Sequence, residues 1–328
     1  MCKRRNYQID VYRVLLMYGI CLLHAITQGG HNTPYLANMF EWCVPGFVFI
    51  SGWFGVKFSL MKIIRLYLTS LYCAVTYFVL IYTLDGTWCS GNGWMAIFDM
   101  CKGQWFLNAY VAMMFLVPMA NVIVSPPRGG GDMCKTFLKI GVPLLVLSFG
   151  WSFATTLPII RHCIPTTGGL QAYSFLTLFG VYVTARFARC FFDTDEHLRR
   201  VMIDRKMLIS IIIISLFAGA IGLGDYNSPF ALLLSGAAFL YFLCLRLTRR
   251  LQMVCVWAAP SMFSVYLMHA HGNAWVILKS IEEHFLNIGI PLWGAYVLTA
   301  LTIFVGCIAL DIPRRFALSL LKNWHVHE

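Results

Sequence analysis

The sequence predicts an all-α polytopic membrane protein: one integral-membrane domain over residues 1–328, about ten transmembrane helices, and both termini in the cytoplasm. Three observations carry this expectation. Hydrophobic residues make up 59% of the 328 and charged residues only 12%, about half the charge of an ordinary soluble domain, and mean hydropathy is +0.71. Apolar stretches near the length of about 20 residues that crosses a bilayer recur along the whole chain. The basic residues between those stretches alternate in density from one connection to the next. A soluble enzyme, a coiled coil, a collagen and a disordered chain are all excluded at this step.

Taken in order, the apolar stretches fall at about 9–28, 36–55, 66–84, 104–124, 137–157, 169–187, 207–224, 229–247, 254–271 and 289–312. Polar or turn-forming segments separate them, among them Gly29-Gly30-His31-Asn32, Asp85-Gly86, the Pro126-Pro127 and Gly129–Gly131 run, and Asp225 to Pro229. With the N-terminus inside, 21 of the 25 Lys and Arg residues lie in cytoplasmic segments. Only Lys102, Arg161 and Lys279 lie outside, and Arg13 is within the first stretch. A wrong number of crossings would exchange the later connections and spoil that asymmetry. The net charge of +11 therefore reads as membrane topology, and no nucleic-acid partner is expected. The segment 188–206 is expected as an inner interfacial connector. No internal repeat, cleavable leader or separate soluble domain is read. The twelve cysteines form no C-x-x-C pair, so no metal site is expected. Cys89 and Cys101 share one polar connection, and their pairing is left open.

Ionisable side chains within spanning stretches are costly and are candidates for function. Four stand out: Arg13 and His24 in the first stretch, Glu41 in the second and His269 in the ninth. Arg13 and His24 are eleven residues apart, about three turns, so they share a helical face across about 16 Å of rise. That is too far for an acid–base pair, so one site using both needs a long substrate lying along the helix. Two readings of Arg13 stand: a ligand contact, or a local ion pair with Asp10. His24, Glu41 and His269 fall at similar depth in the outer half, and Glu41 is expected to orient His24. For His269 a packing role and a substrate-contacting role stand equally. At the inner end Ser51, Lys62 and Arg65 join Arg13 as a group suited to phosphate.

The stretch from Arg5 through Asp10, Tyr12 and Arg13 to His24-Ala25 resembles the opening helix of the acyltransferase-3 family of integral-membrane O-acyltransferases. Val44-Pro45-Gly46-Phe47-Val48-Phe49-Ile50-Ser51-Gly52-Trp53-Phe54 is similar to the family's aromatic-rich Ser-Gly segment. Gln104-Trp105-Phe106-Leu107-Asn108-Ala109-Tyr110, continuing to Pro118 and Asn121, and Ser264-Val265-Tyr266-Leu267-Met268-His269 complete the match. The basic pair is Lys62-x-x-Arg65 here, where many members carry two arginines.

The resemblance implies transfer of an acyl group from cytoplasmic acyl-CoA, with acetyl-CoA the expected donor, to a hydroxyl of an extracytoplasmic or lipid-linked glycan. No tightly bound cofactor and no metal are implied, and the expected location is a bacterial cytoplasmic membrane. His24 would be the general base, with Glu41 fixing its tautomer; a transient acyl-histidine is the variant. CoA would rest on Arg13, Ser51, Lys62 and Arg65, and the acceptor on Trp105, Tyr110 and His269. From the residues alone, an interfacial aromatic anchor is the stronger reading of Trp105 and Tyr110. The rival reading is a transporter or flippase for a lipid-linked sugar using His24, Glu41 and His269 as a relay. Its expected inverted repeats are not found in the sequence.

Overall fold

The computed structural model describes residues 6–85, 97, 101, 103–124, 133–147, 175–226 and 228–324. Within them the chain is helical and contains no strand. Seven helices among the described residues are long and apolar enough to cross a membrane: Tyr7–Gln28, Leu60–Leu80, Trp105–Ile123, Phe175–Thr194, Arg205–Leu223, Arg249–His269 and Leu292–Leu320. The second half of the expected 137–157 stretch, the start of 169–187, and Cys89, Lys102 and Arg161 lie outside the described residues.

Helix α1 (Tyr7–Gln28) starts at Asn6, whose side chain accepts from the Ile9 N–H at 3.4 Å, and ends where Gly29 leaves the helical region. Such a cap satisfies one of the donors that a helix start leaves orphaned. This helix is the axis of the fold: 72% of its apolar window is buried against protein, against 22% for Arg205–Leu223.

The expected stretch 36–55 is not one helix. It is a short α2 (Pro34–Asn38), a turn, and α3 (Cys43–Phe54). Pro45 supplies the reason, since it has no N–H for the carbonyl of Glu41 and its ring would clash there. Within the first turn of α3, where that donor is surplus, the same proline is tolerated. The end of α3 is set by Gly55, whose φ of +65° lies in the left-handed region that a residue with a Cβ seldom adopts. Gly52 lets α3 meet α7 (Phe175–Thr194) closely, because a Cβ there would lie 2.4 Å from the Tyr182 carbonyl oxygen.

Helices α4 (Leu60–Asp85) and α5 (Trp105–Ile123) follow. The next helical run, α6, comprises Met133–Thr136, a π-helical turn over Phe137–Gly141, and Val142–Leu145. The expected interfacial connector is the end of α7 plus a short α8 (Glu196–Met202), capped by Asp195, which accepts from the Leu198 N–H at 2.9 Å. Helices α9 (Arg205–Ala218, extended by π-helical Gly219–Leu223) and α10 (Pro229–Leu243) pack on each other. Helix α11 (Arg249–Ala258) leads through a 3₁₀ turn into α12 (Met262–His269).

The segment after His269, read from the sequence as an outer connection, contains α13 (Gly272–Asn287), which packs against α1, α12 and the last helix. That helix, α14 (Leu292–Trp324), runs past the expected end at 312. There an Asp311–Arg314 ion pair at 2.6 Å, one turn apart, bridges the extension. Helix α1 touches α2, α3, α10, α11, α12, α13 and α14, and of its large apolar side chains Tyr7 and Leu15 stay exposed.

Candidate functional site

Along α1 the residues Arg13, Met17, Ile20 and His24 recur at spacings of four, three and four and so lie on one face. Met17 and Ile20 line an apolar cavity of about 60 Å³, closed by Val44 and Phe47 of α3, Phe106 of α5, and Phe263 and Tyr266 of α12. The cavity thus lies between the levels of Arg13 and His24, on the face they share.

At one end, the His24 and His269 rings lie with centroids 5.0 Å apart and planes tilted by 56°. The structure brings these two together although 245 residues separate them in sequence. His269 is 1% exposed. Its Nδ1 lies 2.5 Å from the Val265 carbonyl oxygen, an atom that can only accept, so Nδ1 carries the proton and donates. In the neutral ring Nε2 is then a bare acceptor. That Nε2 is buried with no hydrogen-bond partner among the described residues, and the same holds for His24 Nδ1. Two unsatisfied imidazole nitrogens thus lie buried on neighbouring rings, where an unmet polar atom costs about 1–3 kcal/mol. Cys21 Sγ approaches His269 Nδ1 at 4.0 Å.

Glu41 does not orient His24, which corrects the expectation from sequence. The broken second stretch puts Glu41 in the turn between α2 and α3, outside the seven spans. There its carboxylate accepts from the Tyr226 N–H at 2.8 Å. Burial, followed by the charge of Asp225, pushes the Glu41 carboxyl up to about 8. Glu41 is therefore a carboxyl–carboxylate clasp between the α2–α3 turn and the loop before α10. Trp105, on the first turn of α5, has its ring 6.1 Å from that of Tyr226 and so stands beside the same clasp.

The start of α5 is stitched to α12. Gln104 Nε2 donates to the Leu267 carbonyl at 3.1 Å, and the Phe106 N–H donates to the Tyr266 hydroxyl at 3.3 Å. Gln104 is 2% exposed and its Oε1 has no partner among the described residues. Neighbouring His271 is a structural group: its Nδ1 accepts from Ala274 N–H at 3.3 Å and starts α13, and burial, then His269, holds it down at about 4.

At the other end, Arg13 Nη1 meets Asp10 Oδ1 at 3.1 Å, so the local ion pair is made. The Arg13 side chain nevertheless stays 40% exposed, leaving most of its guanidinium fork open. Ser51 Oγ and Tyr110 OH are 3.0 Å apart, and the charge of Arg13 reaches Tyr110. Tyr110 thus belongs with Ser51 and Arg13, whereas from sequence it was grouped with the acceptor. Lys62 and Arg65 do not complete this cluster: both stand exposed on α4, and Lys62 Nζ donates to the Lys57 carbonyl at 3.4 Å.

Arg186 on α7, which sequence reading treated as one topology cation among many, stands beside the end of α3 instead. Its Nη1 lies 2.9 Å from where a Cβ on Gly55 would stand, and its Nε is buried without a partner among the described residues. Around it, the Asn121 amide and the Tyr182 hydroxyl both donate to the Val56 carbonyl, at 3.2 and 3.3 Å, and that hydroxyl lies 2.9 Å from Asn121 Oδ1. The helix-ending Gly55 is the sequence signal that could have found this spot.

Among the described residues no group of His, Cys, Asp and Glu is arranged to hold a metal ion. The site therefore offers a cation and hydroxyls at one end of a helical face, unpaired imidazoles at the other, and an apolar cavity between. Residues 6–312, nearly the whole chain, match the Acyl_transf_3 family model, described as an acyltransferase domain. No curated protein and no solved structure matches the chain.

Proposed function

The chain belongs to the acyltransferase-3 family and is a membrane acyltransferase, and on that premise we propose that it moves an acyl group from acyl-CoA to a hydroxyl of a glycan or lipid-linked saccharide. The CoA phosphates bind at the Arg13 end, in the cytoplasm. The pantetheine arm follows the α1 face past Met17 and Ile20, and the thioester meets the acceptor beside His24. The supporting observation is an apolar cavity against Met17 and Ile20, on the face that Arg13 and His24 share, together with the unsatisfied nitrogens of His24 and His269 at the level of His24. A long, narrow donor with a charged head and a reactive tail matches that distribution of polarity.

His24 is the general base. Its partner is His269 in place of Glu41: His24 Nδ1–H donates to the bare Nε2 of His269 once a small ring rotation closes their separation, and two orphaned atoms are satisfied at once. The other nitrogen of His24, Nε2, then holds the lone pair. It takes the proton of the acceptor hydroxyl as the oxygen attacks the thioester carbonyl. When the tetrahedral intermediate collapses, the C–S bond breaks and the imidazolium returns the proton to the departing thiolate. The products are the ester and free CoA, with no net proton released. Arg13 and Arg186 hold phosphate oxygens, and Trp105 is the proposed contact for the acceptor.

The test is release of CoA thiol from acyl-CoA by the purified protein in detergent. His24→Ala should lower that rate by about 10²–10⁴-fold, the usual weight of a general base, with the protein still eluting as folded. Unchanged turnover in His24→Ala would overturn the assignment.

A further inference from the structure

A second cavity, of about 190 Å³, lies between α4, α12, α13 and α14 and opens at the surface of α14. His269 forms one of its walls, so it adjoins the imidazole pair. Most of the remaining lining is hydrocarbon, including Leu80, Met268, Ile277, Ile281 and Ile303. The hydroxyl of Thr302, one of its few polar groups, is already spent on the Leu298 carbonyl at 2.8 Å. The cavity is about three times the volume of the one on the α1 face. Thr302 and Gly306 are exposed on α14, and a Cβ built on Gly306 would meet nothing within 4 Å.

We infer that this cavity receives the acyl chain of the donor thioester, and that the group transferred is an alkanoyl chain of about six to eight carbons rather than acetyl. The inference rests on the acyltransferase reading above and names its substrate class. An apolar cavity of about 150 Å³ takes up a six-carbon ring, which sets the scale. A saccharide or the amide-bearing pantetheine arm would lose its hydrogen bonds among these walls. Acetyl would leave most of the space void, forfeiting dispersion contacts on every side. A full-length lipid tail would overrun it. An alkanoyl thioester fits in one orientation: carbonyl at the His269 wall beside His24, tail toward Gly306.

The experiment compares kcat/KM for acetyl-, butyryl-, hexanoyl-, octanoyl- and palmitoyl-CoA, by thiol release, in the wild-type protein, Gly306→Leu and Thr302→Leu. Wild type should gain up to about fourfold per added methylene to hexanoyl or octanoyl and lose the gain at palmitoyl. Filling the cavity at either position should lower the hexanoyl-to-acetyl ratio by about tenfold or more, and two positions guard against one variant failing to fold. An acetyl or palmitoyl optimum in the wild type, or a ratio unmoved in two folded variants, overturns the inference while leaving the acyltransferase reading intact. No thiol release with any of the five overturns both.

Discussion

The two ends of α1 treat buried polarity in opposite ways. Near Arg13 polar groups are matched apart from the buried Nε of Arg186: Asp10 takes one guanidinium nitrogen, and Ser51 and Tyr110 take each other. Near His24 two imidazole nitrogens are left unmatched inside an apolar wall. The first pattern is what recognition of a charged, water-borne head group needs, because exposed fork nitrogens remain for it. The second carries a standing cost of about 1–3 kcal/mol per orphaned atom, which a fold retains where a ligand or a proton transfer supplies the missing partner. On the proposed reading, binding and chemistry are separated along one helical face.

If that division holds, the largest losses come from the His24 end. His24→Ala should show the 10²–10⁴-fold fall in turnover stated above, with acyl-CoA affinity measured by calorimetry little changed. His269→Leu should lower kcat by about 10²-fold, and His269→Gln, which keeps an acceptor for the His24 N–H, should recover part of that loss. Equal defects in the two His269 variants would mean that His269 only packs. Smaller effects belong to the other end. Arg13→Ala and Arg186→Ala should each weaken acyl-CoA binding by about tenfold, as expected for one charge-assisted contact, with kcat preserved at saturation. Exposed Lys62→Ala should weaken it by about threefold or less; the reverse order would return Lys62 to the site in place of Arg186.

The smallest effect is at Glu41, which serves neither end. Its carboxyl binds its proton more tightly folded than unfolded, so the folded state holds the extra proton between the ordinary carboxyl range and about pH 8. Stability contributed there is complete at low pH and declines as pH rises through that window. The thermal midpoint in detergent should therefore fall from about pH 5 to about pH 9. Glu41→Gln, which mimics the protonated form, should flatten that slope without altering turnover beyond about twofold.

How much of this was legible in the sequence follows from what each inference needed. The shared face of Arg13 and His24 requires only helical periodicity. The similar depth of His24 and His269 follows from counting along two helices, but that their rings meet depends on the packing of α1 against α12, a tertiary fact. The break in the second stretch was written in Pro45. Helix α13 escaped because Lys279, Glu282 and Glu283 sit close together on it, so a hydropathy reading sees a polar connection where packing makes a helix. Its Glu282 is fully buried, with His31 Nδ1 at 3.3 Å from its carboxylate. The partner of Glu41 depends on where the loop before α10 docks, a tertiary fact with no local signal. Arg186 faces Gly55 while its neighbour Arg189 lies over the Trp53 ring and pairs with Asp193, a difference with no local sequence signal.

The central claim is that a thioester bound by its phosphates near Arg13 presents its carbonyl to the imidazole pair. Treating the purified protein with bromoacetyl-CoA, whose electrophilic carbon stands at the acyl position, and mapping the alkylated residue by mass spectrometry tests this directly. The account predicts modification at His24 or His269, suppressed by excess CoA and slowed about tenfold below saturation in Arg13→Ala. Alkylation spread over exposed cysteines, with both imidazoles untouched although the compound binds, would contradict it.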